Sequence, residues 1–466
     1  MTIEDAVNRK TALIVTTLGA FIIPFMGSSI NIALPSIGKE FDMDALMLSW
    51  VTTSYLLTAA MFLVPFGRIA DIYGRKRTFR FGFLVYTFAS FLATFATSPY
   101  VLIASRVFQG VGASMTFSNG VAILTSVYPI GEKGRVLGIN VSAVYAGLSC
   151  GPLLGGLLTN YLGWRSIFLI NIPAGLFILF YTSYKLKGEW TEAKGERFSY
   201  KGSLFYSLVI LTVMVGLFHL PKPLGILFIL IGVFGIWIFI KWEMTSETPI
   251  FQLTLFKNNR LFAFSNLAAL IHYSATFAVG FLLSLYLQLI KGLRPHEAGL
   301  ILVSAPTIQA VLSPFAGKLS DRMDPKKVAS GVMAMTGFGL LLFIFINEKT
   351  PLPWIIALLI LLGVGFALFS SPNTNAVMGS IDKKFYGVAS GVLSTMRSIG
   401  MIISMGFVMV SFSISMGRTQ ITPALHPLFI KSVRGTFIFF TLLCALAILA
   451  SLARGPSRRS SPTEPR

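Results

Sequence analysis

Two arginines and one histidine stand inside long apolar stretches of this sequence, and they are the residues best placed to do chemistry there. Arg106 lies in Leu102-Ile103-Ala104-Ser105-Arg106-Val107-Phe108-Gln109, with Gln109 three positions on and so on the same helical face. Arg397 and His272 occupy similarly apolar surroundings. A guanidinium at the centre of a membrane helix costs on the order of 3 kcal/mol or more, so it must turn to water, backbone carbonyls or a ligand. Arg106 has a plainer option as well, reaching about one and a half turns to the outer interface. His272, with an unperturbed pKa of about 6.5, suits a proton carrier, although a single histidine on an apolar face is more often a hydrogen-bonded packing residue. No His, Cys or carboxylate cluster of ligand spacing and no phosphate-binding loop accompanies these residues. Metal, cofactor and enzymatic chemistry are therefore not expected, and the pattern points to binding and passage of a small molecule.

The elements that must position these residues follow from composition. Of 466 residues, 54% are hydrophobic and 12% charged, which leaves too little polar surface for a soluble chain of this length. Apolar runs near 11–33, 47–70, 78–97, 100–127, 136–160, 164–184, 201–220, 224–241, 261–288, 296–317, 328–347, 353–379, 385–412 and 430–453 predict about fourteen helices of bilayer-crossing length. Barrel strands do not fit runs so long and so continuously apolar.

The net charge of +20 would suit a nucleic-acid binder, but most of the 38 Lys and Arg fall in alternate loops, on the side shared by both termini. That asymmetry predicts a multi-pass protein of the cell membrane with both termini cytoplasmic, the lipid bilayer as its environment, and no nucleic acid as partner. The first apolar run lacks a following cleavage site and is expected to be retained. Cys150 and Cys444 sit inside apolar runs and read as packing residues.

An internal repeat divides the chain. Gly67-Arg68-Ile69-Ala70-Asp71, with Lys76 and Arg77, returns about 250 positions later as Gly317-Lys318-Leu319-Ser320-Asp321, with Lys326 and Lys327. Both copies end the second helix of a six-helix unit. The expected organisation is an all-α membrane protein of two pseudo-symmetric six-helix bundles, 1–184 and 255–453. A connector and inserted helix pair lie between them at 185–254, and a polar tail follows at 454–466. In the first copy Gly67 allows close helix approach, Gly74 a tight turn, and Asp71 a helix cap or a pair with a nearby Arg. Along the fifth span Gly147, Gly151 and Gly155 recur every four residues and form a groove for a neighbouring helix, Gly156 adjoins them, and Pro152 removes one backbone hydrogen bond.

These stretches resemble known motifs. The order Gly67, Asp71, Gly74, Arg75, Lys76 is similar to the loop motif of the major facilitator superfamily. Arg106 with Gln109 resembles its basic motif, and Gly147 through Gly156 resembles the antiporter motif of its drug-exporting branches. Met26-Gly27-Ser28-Ser29-Ile30-Asn31-Ile32-Ala33-Leu34-Pro35 and Gly163-Trp164-Arg165 through Asn171-Ile172-Pro173 are similar to two motifs of the fourteen-span drug:proton antiporter branch. The resemblance covers essentially the whole chain. It implies alternating access about a central cavity lined by spans one, four, nine and twelve. Ser28 and Asn31 would face inward from the first, Arg106, Gln109 and Asn119 from the fourth, Asn266, His272 and Tyr273 from the ninth, and Asn373 and Asn375 from the twelfth. Phe108, Phe117, Phe277 and Phe366 are candidates for an apolar wall, with lipid contact or core packing as the alternative for each. Arg397 is the second intramembrane cation, and the Asp71 and Asp321 loops would latch the cytoplasmic side.

One position departs from the pattern. Where that branch carries an Asp nine residues before Pro35, this chain has Met26, and its 18 acidic residues fall in loops, helix ends or tails. The usual proton-coupling carboxylate is absent, leaving His272, Asp71 or the cargo itself to carry protons. Two buried cations without an acid also predict a preference for neutral, zwitterionic or anionic cargo over multiply charged cations. The expected function is export of amphiphilic small molecules by a monomer, coupled to protons or another ion. The alternative is a facilitator of one anionic or neutral metabolite without proton coupling, and a membrane-embedded enzyme finds no support.

Overall fold

The computed structural model describes residues 3–246, 249–250, 256–257, 259–320, 325–381, 386–417 and 419–452. Asp321 and the tail predicted at 454–466 lie outside the described residues. Among those residues every element is helical and no strand occurs. The first series is α1 (Ile3–Glu40), α2 (Ala45–Tyr73), α3 (Arg75–Thr94), α4 (Pro99–Val127), α5 (Ile130–Leu162), α6 (Arg165–Leu169) and α7 (Asn171–Tyr184). Next come α8 (Tyr200–His219) and α9 (Pro223–Thr245). The second series is α10 (Arg260–Thr276), α11 (Val279–Leu285), α12 (Pro295–Leu302), α13 (Ser304–Ser320), α14 (Pro325–Phe343), α15 (Leu352–Gly379), α16 (Tyr386–Ser415) and α17 (His426–Leu452).

Among the described residues ten helical segments are long and apolar enough to cross a membrane. Two of them start on a side-chain cap: Asp44 accepts the Met47 N–H at 2.7 Å ahead of α2, and Asn259 accepts the Phe262 N–H at 3.0 Å ahead of α10. Three predicted spans are interrupted. The span at 164–184 breaks at Ile170, just before Pro173, and that at 296–317 breaks at Val303, just before Pro306; each proline withholds a helical N–H. The span at 261–288 breaks between α10 and α11, where the Ser404 hydroxyl takes the Ala278 N–H at 3.0 Å.

The two series pack in the same order. In the first, α1 lies on α5, α2 and α3 on α4, and α3 on α7; in the second, α10 lies on α16, α13 and α14 on α15, and α14 on α17. They meet where α5 touches α12 and α13, α2 touches α16, and α1 touches α11. The inserted helices α8 and α9 pair with each other, and α8 seats on α2 and α16. There the Tyr206 hydroxyl donates to the Ala60 carbonyl at 3.1 Å and Ser207 to Met61 at 2.9 Å. Glu243 falls in the last turn of α9, buried, and accepts the Ile250 N–H.

Candidate functional site

Arg106 is enclosed between α2, α3 and α4 with no exposed surface, which rules out the reach to an interface. Its Nε donates to the Val51 carbonyl at 3.0 Å, Nη1 donates to Gln109 Oε1 at 2.8 Å, and the guanidinium lies 4.4 Å from the Tyr55 ring centroid. Gln109 passes the chain on by donating to Ser90 Oγ at 2.8 Å. Such close contact depends on Gly110, where a Cβ would meet the Tyr55 carbonyl at 2.5 Å. One donor, Nη2, is left without a partner. Asn119 is also buried and is satisfied locally by the Met115 carbonyl at 2.6 Å.

The candidates of α1 lie on two seams. The Ser28 hydroxyl donates within its own helix, to the carbonyls of Pro24 and Phe25. Pro35 lacks the N–H that would bond the Asn31 carbonyl, and Ser284 of α11 donates to that carbonyl at 2.6 Å. From the residues that follow α11, Gln288 Nε2 donates to the Ile32 carbonyl at 2.9 Å.

The glycine run of α5 serves both sides of the helix. A Cβ at Gly147 would meet the Phe21 carbonyl at 2.3 Å, at Gly151 the Ser28 hydroxyl at 1.7 Å, and at Gly155 the Ser29 side chain at 2.7 Å, so α1 fills that face. On the other side Gly156 faces the Pro295 carbonyl, and the Pro152 carbonyl faces Gly299 of α12, where a Cβ would come within 2.2 Å. One helix thus joins the two series by backbone contact.

Behind this seam α10, α15 and α16 bring together His272, Tyr273 and Arg397. His272 is buried with neither ring nitrogen partnered, stacked on Phe369 at 4.0 Å and 5.1 Å from Phe366. Arg397 is half-buried; its Nη2 donates to Thr374 Oγ1 at 2.7 Å and its guanidinium lies 5.6 Å from the Tyr273 ring. Sequence reasoning did not single out Thr374, Ser370 or Tyr145, which complete the cluster: the Tyr145 hydroxyl of α5 meets the Ser370 hydroxyl of α15 at 2.9 Å. Asn373 donates to the Ser265 carbonyl at 3.1 Å and Asn266 to the Phe262 carbonyl at 2.9 Å, whereas Asn375 is exposed. Of the aromatic candidates, Phe108 and Phe117 are exposed.

The loop motif forms a separate cluster at the other end of α2. Arg75 pairs with Asp71 at 2.8 Å and with Glu192 at 2.7 Å, and also donates to Ser126. Gly74 takes φ 126°, and Glu189 packs into the space a Cβ there would fill, accepting the Lys76 N–H at 2.8 Å. Arg68 pairs with Glu196. The three glutamates come from the polar connector, whose only signal in the sequence was its Glu and Lys content. Gly317 of the second copy lies near the end of α13.

The family model described as Major Facilitator Superfamily matches residues 16–404 and 265–466. The riboflavin transporter RibZ of Clostridioides difficile is 30% identical over 416 residues, 89% of this chain and 90% of that protein. The multidrug resistance protein Stp of Mycobacterium tuberculosis is 31% identical over 403 residues, 85% of this chain and 74% of that protein. The cephamycin export protein CmcT of Amycolatopsis lactamdurans is 30% identical over 411 residues, 84% of this chain and 83% of that protein.

Proposed function

The chain belongs to the Major Facilitator Superfamily, and from that premise we propose that this multi-pass membrane transporter exports amphiphilic small molecules by alternating access, in exchange for protons. Residues 1–184 and 255–453 act as its two rocking halves, α3, α4, α12 with α13, and α14 complete fourteen spans, and both termini face the cytoplasm. The observation that carries this reading is the seam at α5. A helix whose glycine face holds α1 on one side and α12 on the other lets two bundles separate and rejoin without repacking bulky side chains. The drug-resistance and export names of the relatives support an outward direction.

A second reading is movement of one planar metabolite without proton coupling. The riboflavin transporter relative supports it, as does Met26 in place of an intramembrane acid. Inside-out vesicles containing wild type or Asp71→Asn, tested on a dye and metabolite panel with and without an imposed pH gradient, separate the two. Gradient-driven uptake lost in the variant supports exchange with protons. Uptake indifferent to the gradient supports the facilitator. No protein-dependent movement of any compound would reject both.

A further inference from the structure

We infer that Arg397, with Thr374, Tyr273 and Phe366, forms a subsite for the anionic group of a planar aromatic molecule, and that Arg106 does not take part. The inference rests on the reading of the chain as a transporter and assigns the cargo's charge to one of the two intramembrane cations. The two differ in what already satisfies them. Arg106 has a carbonyl, an amide oxygen and a close aromatic face, and it has no exposed surface. Arg397 has one neutral hydroxyl and a more distant ring, no carboxylate pairs with it among the described residues, and its side chain is only partly buried; each guanidinium keeps one buried donor without an acceptor, Nε here and Nη2 in Arg106. A guanidinium so placed gains most from an oxyanion able to accept two parallel N–H bonds.

The surroundings specify the rest of the ligand. Tyr273 lies between Arg397 and Phe366, whose ring centroid is 5.3 Å from its own, and Phe366 also borders His272. Rings beside a cation favour a flat, delocalised partner over an aliphatic one. His272, with both nitrogens buried and unpartnered, offers a further polar contact whichever tautomer it holds. The subsite also sits at the junction of the two series. Thr374, which fixes Arg397, donates to the Ser370 carbonyl at 2.7 Å, and the Ser370 hydroxyl meets Tyr145 of α5. An anion drawn onto Arg397 therefore acts beside a hydrogen bond that links the halves.

The test uses purified full-length protein in nanodiscs and two xanthene dyes of one ring system, anionic fluorescein and a cationic rhodamine ester. Binding is followed by fluorescence polarisation. Wild type is expected to bind fluorescein saturably and at least tenfold more tightly than the rhodamine. Arg397→Gln is expected to weaken fluorescein by roughly ten- to a hundredfold while Arg397→Lys loses less. The inference is overturned if fluorescein does not bind saturably, if the rhodamine binds as tightly, or if Arg397→Gln leaves fluorescein affinity unchanged. Where Arg397→Gln fails to fold, Arg397→Lys carries the site-specific comparison, and the wild-type dye comparison can still overturn the inference. Proteoliposome flux separates the premise from the inference. Protein-dependent movement of rhodamine without fluorescein binding keeps the transporter and removes the subsite, whereas Arg397-dependent fluorescein binding without flux of either dye keeps the subsite and removes the export reading.

Discussion

Asn171 Nδ2 lies 3.2 Å from the sulfur of Met26, and both side chains are buried. The same amide nitrogen donates to the Ile167 carbonyl at 2.8 Å, while its Oδ1 has no partner. An amide donor aimed at a thioether is a weak contact, because sulfur is a poor acceptor. A carboxylate at position 26 would take that donor far better, and the drug:proton antiporter motif that this stretch resembles has an acid there. The polar partner is thus in place, and a thioether stands where that motif has its acid.

Met26→Asp is accordingly expected to install a protonatable site against Asn171. Uptake of a monocationic dye into inside-out vesicles should become dependent, or more strongly dependent, on an imposed pH gradient, and adding Asn171→Ala should weaken that gain. A pH-gradient response identical to wild type would show that position 26 has no part in coupling. Burying an acid should also lower the melting temperature by a few degrees, consistent with about 1–3 kcal/mol for a buried polar group with one partner.

The seam between α5 and α12 predicts a sharp contrast between two glycines. At Gly299 of α12 a Cβ would come within 2.2 Å of the Pro152 carbonyl, a backbone atom that cannot swing aside, whereas at Gly138 of α5 nothing lies within 4 Å. Gly299→Ala is expected to cost about 1–3 kcal/mol by overpacking, read as a lower melting temperature, and to reduce transport by forcing the helices apart. Gly138→Ala should be neutral or slightly stabilising, since alanine is the better helix former. Equal effects from the two would place the seam elsewhere.

Much of this was legible in the sequence, and the remainder depended on contacts between distant segments. The all-α membrane fold followed from apolar runs, because helices of bilayer length leave a continuous signature. The shared face of Arg106 and Gln109 followed from their spacing, and the two are hydrogen-bonded. What they turn towards did not follow, because it depends on how closely Gly110 admits α2. The breaks before Pro173 and Pro306 carried a proline signal that a hydropathy reading passes over. The bridge from Tyr145 to Ser370 joins residues 225 apart, and no local pattern points to it. Nothing local in the connector names a partner for its glutamates; only the folded chain places Glu189 and Glu192 on the loop motif.

That loop cluster predicts unequal losses. Glu192 is 67% exposed, so its pair with Arg75 is screened and Glu192→Gln should cost under about 1 kcal/mol. Arg75 itself is largely buried and serves Asp71, Glu192 and Ser126 together. Arg75→Ala is expected to exceed the sum of Glu192→Gln and Asp71→Asn in loss of thermal stability and to slow transport. Additivity of the three would mean that the contacts are independent surface pairs.

Arg106 provides the clearest separation between structure and cargo. If its work is to tie α2, α3 and α4 together, the damage done by removing it comes from what is left unpaired. Arg106→Met keeps most of the volume but strands the Gln109 oxygen, so it should destabilise by about 1–3 kcal/mol. Arg106→Met with Gln109→Leu removes both partners and should recover much of that loss, because a polar pair replaced by packed apolar groups is often near neutral. Arg106→Ala should be worse than either, at about 2–5 kcal/mol, through the cavity it opens. Melting curves in detergent order the three variants. Transport by the refolded-stable double variant then decides the role: activity close to wild type keeps Arg106 in the framework, and a stable but inactive protein would move it to the cargo path.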